Sequence, residues 1–253
     1  MTMQYLEREL RRTGDPRDSE AAGVIAGIRD ARGSDIALPS VATPVEVKPI
    51  PQEYRPFTDQ ETKALIKDGA FILDLTTGNT IEDQEGAGRL FRYIYRGGGD
   101  RLLKLPSIIT QVAIYPDPQK FFIPNSVNKN LSAQEKLAEI DGRDLRKRLG
   151  LKDEGVDVII PEQASTLTEV TFKYLDETTK KGKGVWLFGE EYASFEGLNW
   201  VYGRTKNPVN ESGSVVAFVG GAHPDYGVYV NFWDAGHGRG ILRVVRLVVA
   251  KKK

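Results

Sequence analysis

The chain has 253 residues, a length that suits one large domain or two small ones. Lys+Arg and Asp+Glu number 35 each, so the formal charge is zero and gives no electrostatic footing for general nucleic-acid binding or for an anionic membrane surface. There is no cysteine, which excludes disulfides, thiol catalysis and cysteine-held metal or iron–sulfur centres, and the two histidines, His223 and His237, leave little room for histidine-rich catalysis. The opening stretch MTMQYLERELRRTGDPRDSE is charged throughout and does not read as a signal peptide. No apolar run approaches the ~20 residues of a membrane span, so no membrane insertion is expected.

Taken in chain order, MQYLERELRR and SEAAGVIAGIRDARG predict two helices, with Asp18 or Ser19 as cap and Gly33 as stop. Five prolines between Pro39 and Pro56 then predict an extended arm, so residues 1–56 read as an N-terminal extension. A large domain is expected over 57–253. Thr58 caps a predicted helix that Gly69 ends. AFILDLT and RLFRYIYR read as strands around a turn, followed by SIITQVAIYP and KFFIP. SAQEKLAEIDGRDLRKRLG predicts a helix with a Ser132–Glu135 capping box, a face of Leu137, Ile140, Leu145 and Leu149, and Gly150 as stop. VDVII reads as a short buried strand. The segment PEQASTLTEVTFKYLDETTKKG is rich in β-branched residues, but its apolar spacing favours helix. VWLFG, VVAFVGG, YGVYVNFW and ILRVVRLVVA complete a mixed α+β pattern with strands gathered toward the C-terminus.

Chemistry-bearing motifs are few. RGGGD (96–100) and GHGRG (236–240) lack the strand-before, helix-after context of a phosphate loop. Asp225, Asp234, His223 and His237 lie close in sequence and could hold a metal or move protons, but their spacing fixes no geometry. They are read as polar residues of an exposed loop, with no metal, no cofactor and no catalytic residue expected. The basic run RDLRKRLGLK is interleaved with Glu135, Glu139, Asp141 and Asp144, which suits a solvated helix face rather than a nucleic-acid reader.

The informative anomaly is compositional. From Ser212 to Ala250 there is no Lys, Glu, Gln or Met, although the rest of the chain is rich in Lys and Glu. The same stretch holds both histidines, seven glycines, and Phe218, Tyr226, Tyr229, Phe232 and Trp233. A solvent-facing β-region ordinarily uses Lys, Glu and Thr. Tyr, Asn, Asp, Gly, Ser and His are instead the types that binding loops favour, tyrosine for rigid contact area and the small residues for adaptable hydrogen bonds. Apart from Trp233, every residue type in the stretch can be encoded by a codon ending in cytosine, whereas Lys, Glu, Gln and Met cannot. Randomising the first two bases of AAC-type codons would produce this palette.

On these residues, and on the terminal string NFWDAGHGRGILRVVRLV, the C-terminal part resembles the variable protein of a diversity-generating retroelement. The likeness spans about 156–253, and VIIPEQASTLTEVTFKYLDE and YGRTKNPVN are similar to archaeal-virus members of that family. The resemblance implies a C-type lectin-like domain of the formylglycine-generating-enzyme subtype, with a variable ligand-binding region at about 212–250. The Glu-Pro-Asn triplet of calcium-dependent lectins and the catalytic cysteines of the formylglycine-generating enzyme are missing, so neither activity is implied. The exchangeable positions it implies are Ala222, His223, Asp225, Tyr226, Tyr229, Asn231, Phe232, Asp234, Ala235, His237, Arg239 and Ile241. Val228, Val230, Trp233, Leu242, Val244, Val245 and Leu247 would be scaffold. The expected role is non-enzymatic recognition of a protein or other cell-surface ligand, on a virion or a cell surface. The alternatives are a structural virion component docked by the Pro-rich arm, and a hydrolase using Asp225, Asp234 and a histidine.

Overall fold

The computed structural model describes residues 54–96, 101–151, 155–210 and 212–252. The two expected N-terminal helices, nearly all of the Pro-rich arm and most of RGGGD lie outside the described residues.

Two five-stranded sheets organise the described chain. The first takes β1 (Tyr54–Arg55), β2 (Phe71–Asp74), β4 (Gln111–Ile114), β5 (Val156–Ile159) and β10 (Leu247–Lys251), all paired antiparallel. β10 lies at its centre, pairing with β5 along Leu247–Ala250 and with β1 and β4 as well. The second has the order β3-β8-β7-β6-β9, built from β3 (Phe91–Ile94), β6 (Tyr202–Pro208), β7 (Val215–His223), β8 (Gly227–Asp234) and β9 (Leu242–Arg243). Its centre is an antiparallel hairpin, β7–β8, while β3 and β9 join parallel to their neighbours. The helices are α1 (Asp59–Lys67), α2 (Ile81–Gly86), α3 (Arg101–Lys104), α4 (Pro118–Phe121), α5 (Leu131–Leu149), α6 (Ala164–Lys180) and α7 (Glu190–Phe195). The α+β class expected from sequence is what the chain adopts.

Strand alternation gives two main cores, beside a small third cluster of Tyr202, Phe218 and Leu242. The larger core lies between the sheets. Leu73, Val112, Ile114, Leu247 and Val249 enter it from the first sheet, Ala217, Val219, Val228 and Val230 from the second, and Leu167, Val170 and Phe172 from α6. On the other side of the first sheet, Ala113, Val158, Val248 and Ala250 meet Leu65 of α1 and Ala138 and Leu145 of α5. The long α6 is buried along most of its length, which explains why β-branched residues are tolerated there. Thr168, Thr171 and Thr178 turn their hydroxyls onto Ser165, Leu167 and Tyr174 carbonyls of the preceding turn.

Several expectations need correction. Helix α5 begins two residues earlier than a Ser132 cap implies, because the Asn130 side chain accepts from the Ala133 amide. Its buried side is Gln134, Ala138, Gly142 and Leu145, and Ile140 points to solvent. VWLFG is a turn leading into α7, not a strand. ILRVVRLVVA is two strands in two sheets: β9 closes the edge of the second, and β10 fills the centre of the first. KFFIP is not a strand either: it holds the end of α4 and a single bridge from Phe122 to Val245. The strand β6 and the helices α2, α3 and α7 have no counterpart among the sequence expectations.

Candidate functional site

The inner face of the second sheet is committed to the core, so its outer face carries the surface chemistry. On β8 the alternation is unbroken. Val228, Val230 and Phe232 point inward, and Tyr229, Asn231 and Trp233 point outward. On β7 that side carries Phe218 and on β6 Tyr202, both buried with Leu242 in a small cluster that Tyr229, Trp233 and Ile241 cover. A bulge in β3 between Phe91 and Tyr93 gives that strand one extra residue, so Arg92 and Tyr93 are both solvent-exposed.

These side chains form one connected aromatic platform. Tyr229 is its hub: it stacks on Tyr93 with ring centres 4.9 Å apart and on Phe218 at 6.2 Å, and it meets Tyr202 edge-on at 5.7 Å. The Asn231 amide donates to the Tyr229 hydroxyl at 2.8 Å, fixing both. Each end of the platform carries an arginine laid over rings. Arg92 spans Trp200 at 4.8 Å and Tyr226 at 5.7 Å, and Arg239 covers Trp233 at 4.2 Å. Tyr202 connects the two ends. Burial holds its phenol above the ordinary tyrosine range, Tyr229 adds to this, and Arg92 and Arg239 both oppose it. Burial likewise raises Tyr93, helped by Tyr229 and Tyr95. Beyond Tyr226, His223 stacks on that ring at 4.7 Å and accepts from the Asp225 amide at 3.1 Å through Nδ1. A concavity of about 240 Å³ lies alongside, bounded by Ser194, Asn199, Trp200 and His223.

The loop at the other end is fastened from beneath. Arg204 is fully buried, and its guanidinium donates to the carbonyls of Asp234 at 2.6 Å and His237 at 3.0 Å. It also donates to the Lys129 carbonyl at 3.2 Å and to Gln134 Oε1 at 3.1 Å, tying the loop to the start of α5. Burial lowers its pKa, with the nearby Asp234 charge opposing. The Ala235 carbonyl accepts from the Leu131 amide at 3.0 Å. Gly238 packs so closely on the Asn128–Lys129 backbone that a Cβ would overlap it. Asp234 is held below the usual carboxylate range by the Gly236 amide, with His237 at 3.3 Å as second cause.

Against the twelve positions named from sequence, Tyr226, Tyr229, Asn231 and Arg239 belong to the platform, and Ile241 packs at its edge. His223 and Asp225 flank one end, while Asp234, Ala235 and His237 form the Arg204-bound loop. Two positions need correction. Ala222 is 2% exposed and belongs to the inter-sheet core. Phe232 also turns inward, packing on that core and edge-on to Tyr95 at 4.4 Å. Trp233, expected as scaffold, is the outward residue of that pair, because a strict two-residue alternation from Val228 leaves it no other face. Val228, Val230, Leu242, Val244, Val245 and Leu247 are buried. The acid–imidazole residues form two separate pairs, His223 with Asp225 and His237 with Asp234, and among the described residues no group of three potential ligands comes together for a metal. Among the described residues no helix is long and apolar enough to cross a membrane.

Sequence reading missed Arg92, Tyr93, Trp200, Tyr202 and Arg204 as contributors, and singled out Phe218 only as part of the aromatic-rich stretch. The only available signal was the density of Tyr and Arg in RYIYR. That β3 runs parallel to β8 is a long-range pairing with no local trace. Compared with protein-family models, curated proteins and solved structures, the chain matches none of them.

Proposed function

We propose that the chain is a ligand-recognition protein whose binding surface is the outer face of the β3-β8-β7-β6-β9 sheet. In this reading it is a variable protein of a diversity-generating retroelement with a C-type lectin-like fold, recognising a protein on a host cell or virion. The observation that carries the reading is the meeting on one face of Tyr226, Tyr229, Asn231, Trp233 and Arg239, all from the stretch devoid of Lys and Glu. Their backbone is held rigid by the β7–β8 hairpin and by Arg204, so a change of side chain alters the surface without disturbing the interior. Trp233 is the one outward residue outside the cytosine-ending palette, which suits a fixed anchor among exchangeable neighbours.

Recognition would use Tyr93, Tyr226 and Tyr229 as rigid contact area. Arg92 and Arg239 make no side-chain hydrogen bond or ion pair among the described residues, so their donors are available to a partner's carboxylate or carbonyl groups. Alanine at Tyr229 should weaken binding by about 2 kcal/mol if it is a central anchor. The test is sequencing of the DNA around the gene, together with the 212–250 coding region from sibling isolates. A nearby reverse-transcriptase gene, and a near-copy of that region differing at adenines with changes falling on outward residues, are expected. Substitutions spread evenly over inward and outward positions, with no near-copy, would overturn the assignment.

A further inference from the structure

The two arginines of the aromatic platform narrow the chemistry of its partner. Both are exposed, and neither guanidinium makes a side-chain hydrogen bond or ion pair among the described residues. Stacking holds them in place instead. Arg92 lies over Trp200 and Tyr226, and Arg239 over Trp233, so each cation is held by its flat face. A guanidinium's N–H groups all lie in its plane, so stacking leaves the fork unspent. The nearby carboxylates are directed elsewhere. Asp234 accepts from the Gly236 amide and sits 3.3 Å from His237, Glu196 is bound to Arg243, and Asp225 approaches His223 at 3.8 Å. Glu190, on the rim of the neighbouring concavity, makes no ion pair with Arg92.

Between the two ends the face is positive and rich in donors. Burial and Tyr229 raise the Tyr202 phenol, and the formal charges that act on it are the two guanidiniums, which oppose them. The Tyr229 hydroxyl accepts from the Asn231 amide and keeps its own O–H to give. Position then sets a spacing. Arg92 touches Tyr226, just before β8, and Arg239 touches Trp233, near the end of that strand. The eight residues of β8, at about 3.3 Å each, set the two guanidiniums roughly 20 Å apart. Single cations so separated do not converge on one multiply charged group. They match two carboxylates on one polypeptide, about six residues apart where it is extended. A single-stranded nucleic acid fits less well. The 212–250 stretch brings no lysine, and ring faces that bases would use are taken at Tyr229 by Tyr93 and Phe218 and at Tyr226 by His223.

We propose that the partner presents an acidic protein segment whose carboxylates dock on Arg92 and Arg239. This rests on reading the platform as the recognition surface. The test is an NMR titration of the full chain with poly-L-glutamate, with poly-L-lysine and oligodeoxythymidylate as controls. The signals followed are the Arg92 and Arg239 side-chain N–H groups and the Trp200 and Trp233 indoles. Poly-L-glutamate should produce saturable shifts at both arginines that fade with added salt, and poly-L-lysine should produce none. Replacing both cations, Arg92→Gln with Arg239→Gln, should weaken binding about tenfold, the loss of two exposed ion pairs. Lys63→Gln with Lys147→Gln, which removes the same charge from exposed positions elsewhere, should not. The wild-type titrations stand whether or not the variants fold. Equal weakening by the two pairs, or no saturable shift at the arginines, would overturn the proposal. So would tighter binding of oligodeoxythymidylate, which would assign the face to single-stranded nucleic acid. Loss of the acidic preference alone would leave the recognition surface standing, because the positions of coding changes among isolates test that surface independently.

Discussion

Replacing Arg204 by methionine tests whether a single buried guanidinium holds the loop at one end of the candidate face. The side chain donates four hydrogen bonds to neutral oxygens. Bonds to a charged donor are worth roughly 1.5–3 kcal/mol apiece when one partner is left behind, so the gross loss has an upper bound near 6–12 kcal/mol. Two effects offset it. The desolvation of the guanidinium, several kcal/mol for a buried ion, disappears with the charge. The carbonyls of Asp234 and His237 can also take up water, because Gly236 to Arg239 already face solvent. The balance is a destabilisation of about 2–4 kcal/mol. Urea unfolding at constant slope would measure it. Amide hydrogen exchange would locate it, since the Leu131 N–H is bonded to Ala235 O and should exchange faster, while Val219 in the sheet interior should follow only the global stability. A loss under about 1 kcal/mol with Leu131 unchanged would refute the argument and hand the anchoring to the Gly238 contact.

Other outcomes follow from the same geometry. Gly227 has φ +81° and a Cβ there would overlap the Leu90 carbonyl, so Gly227→Ala should cost about 2 kcal/mol or more and loosen β3 from β8, seen as lost protection of the Val228 amide. Phe232→Ala should cost about 3 kcal/mol in chemical unfolding, more than Trp233→Ala, because only Phe232 fills the inter-sheet core; the reverse order would restore the opposite facing. Acidification should destabilise the fold through Glu61 and Asp176. Burial acts to raise Glu61, but Arg55 and the Thr58 amide outweigh it and leave its carboxyl low, and Arg89 does the same for Asp176. Groups lowered on folding stabilise above the unfolded carboxylate value near ~4 and lose that contribution as pH falls through the folded value. Melting curves from about pH 7 to about pH 2.5 should therefore be flatter for Glu61→Gln and Asp176→Asn than for the wild type.

Local signals were legible where local physics decides. Thr58 with Glu61 forms the reciprocal cap at the start of α1, and Gly150 ends α5 in the left-handed region. The alternation of Val228 and Val230 against Tyr229 and Asn231 was readable for the same reason. What failed was non-local. The outward set of β8 was assigned by residue type at Phe232 and Trp233 when periodicity alone gives the right answer. The continuous apolar look of ILRVVRLVVA hid a crossing between sheets, since a strand buried on both faces leaves no alternation to mark where one ends. Arg204 reads in sequence as a surface cation, and only the convergence of four distant oxygens makes it a core residue.

The position of β10 has a consequence for how the molecule is made. A nascent chain still short of Leu247 would hold β4 and β5 with no strand between them, leaving two hydrogen-bonding edges bare. The first sheet must therefore wait until Leu247–Lys251 has left the ribosome. Until then, the partly made protein would be most exposed to pairing with its neighbours.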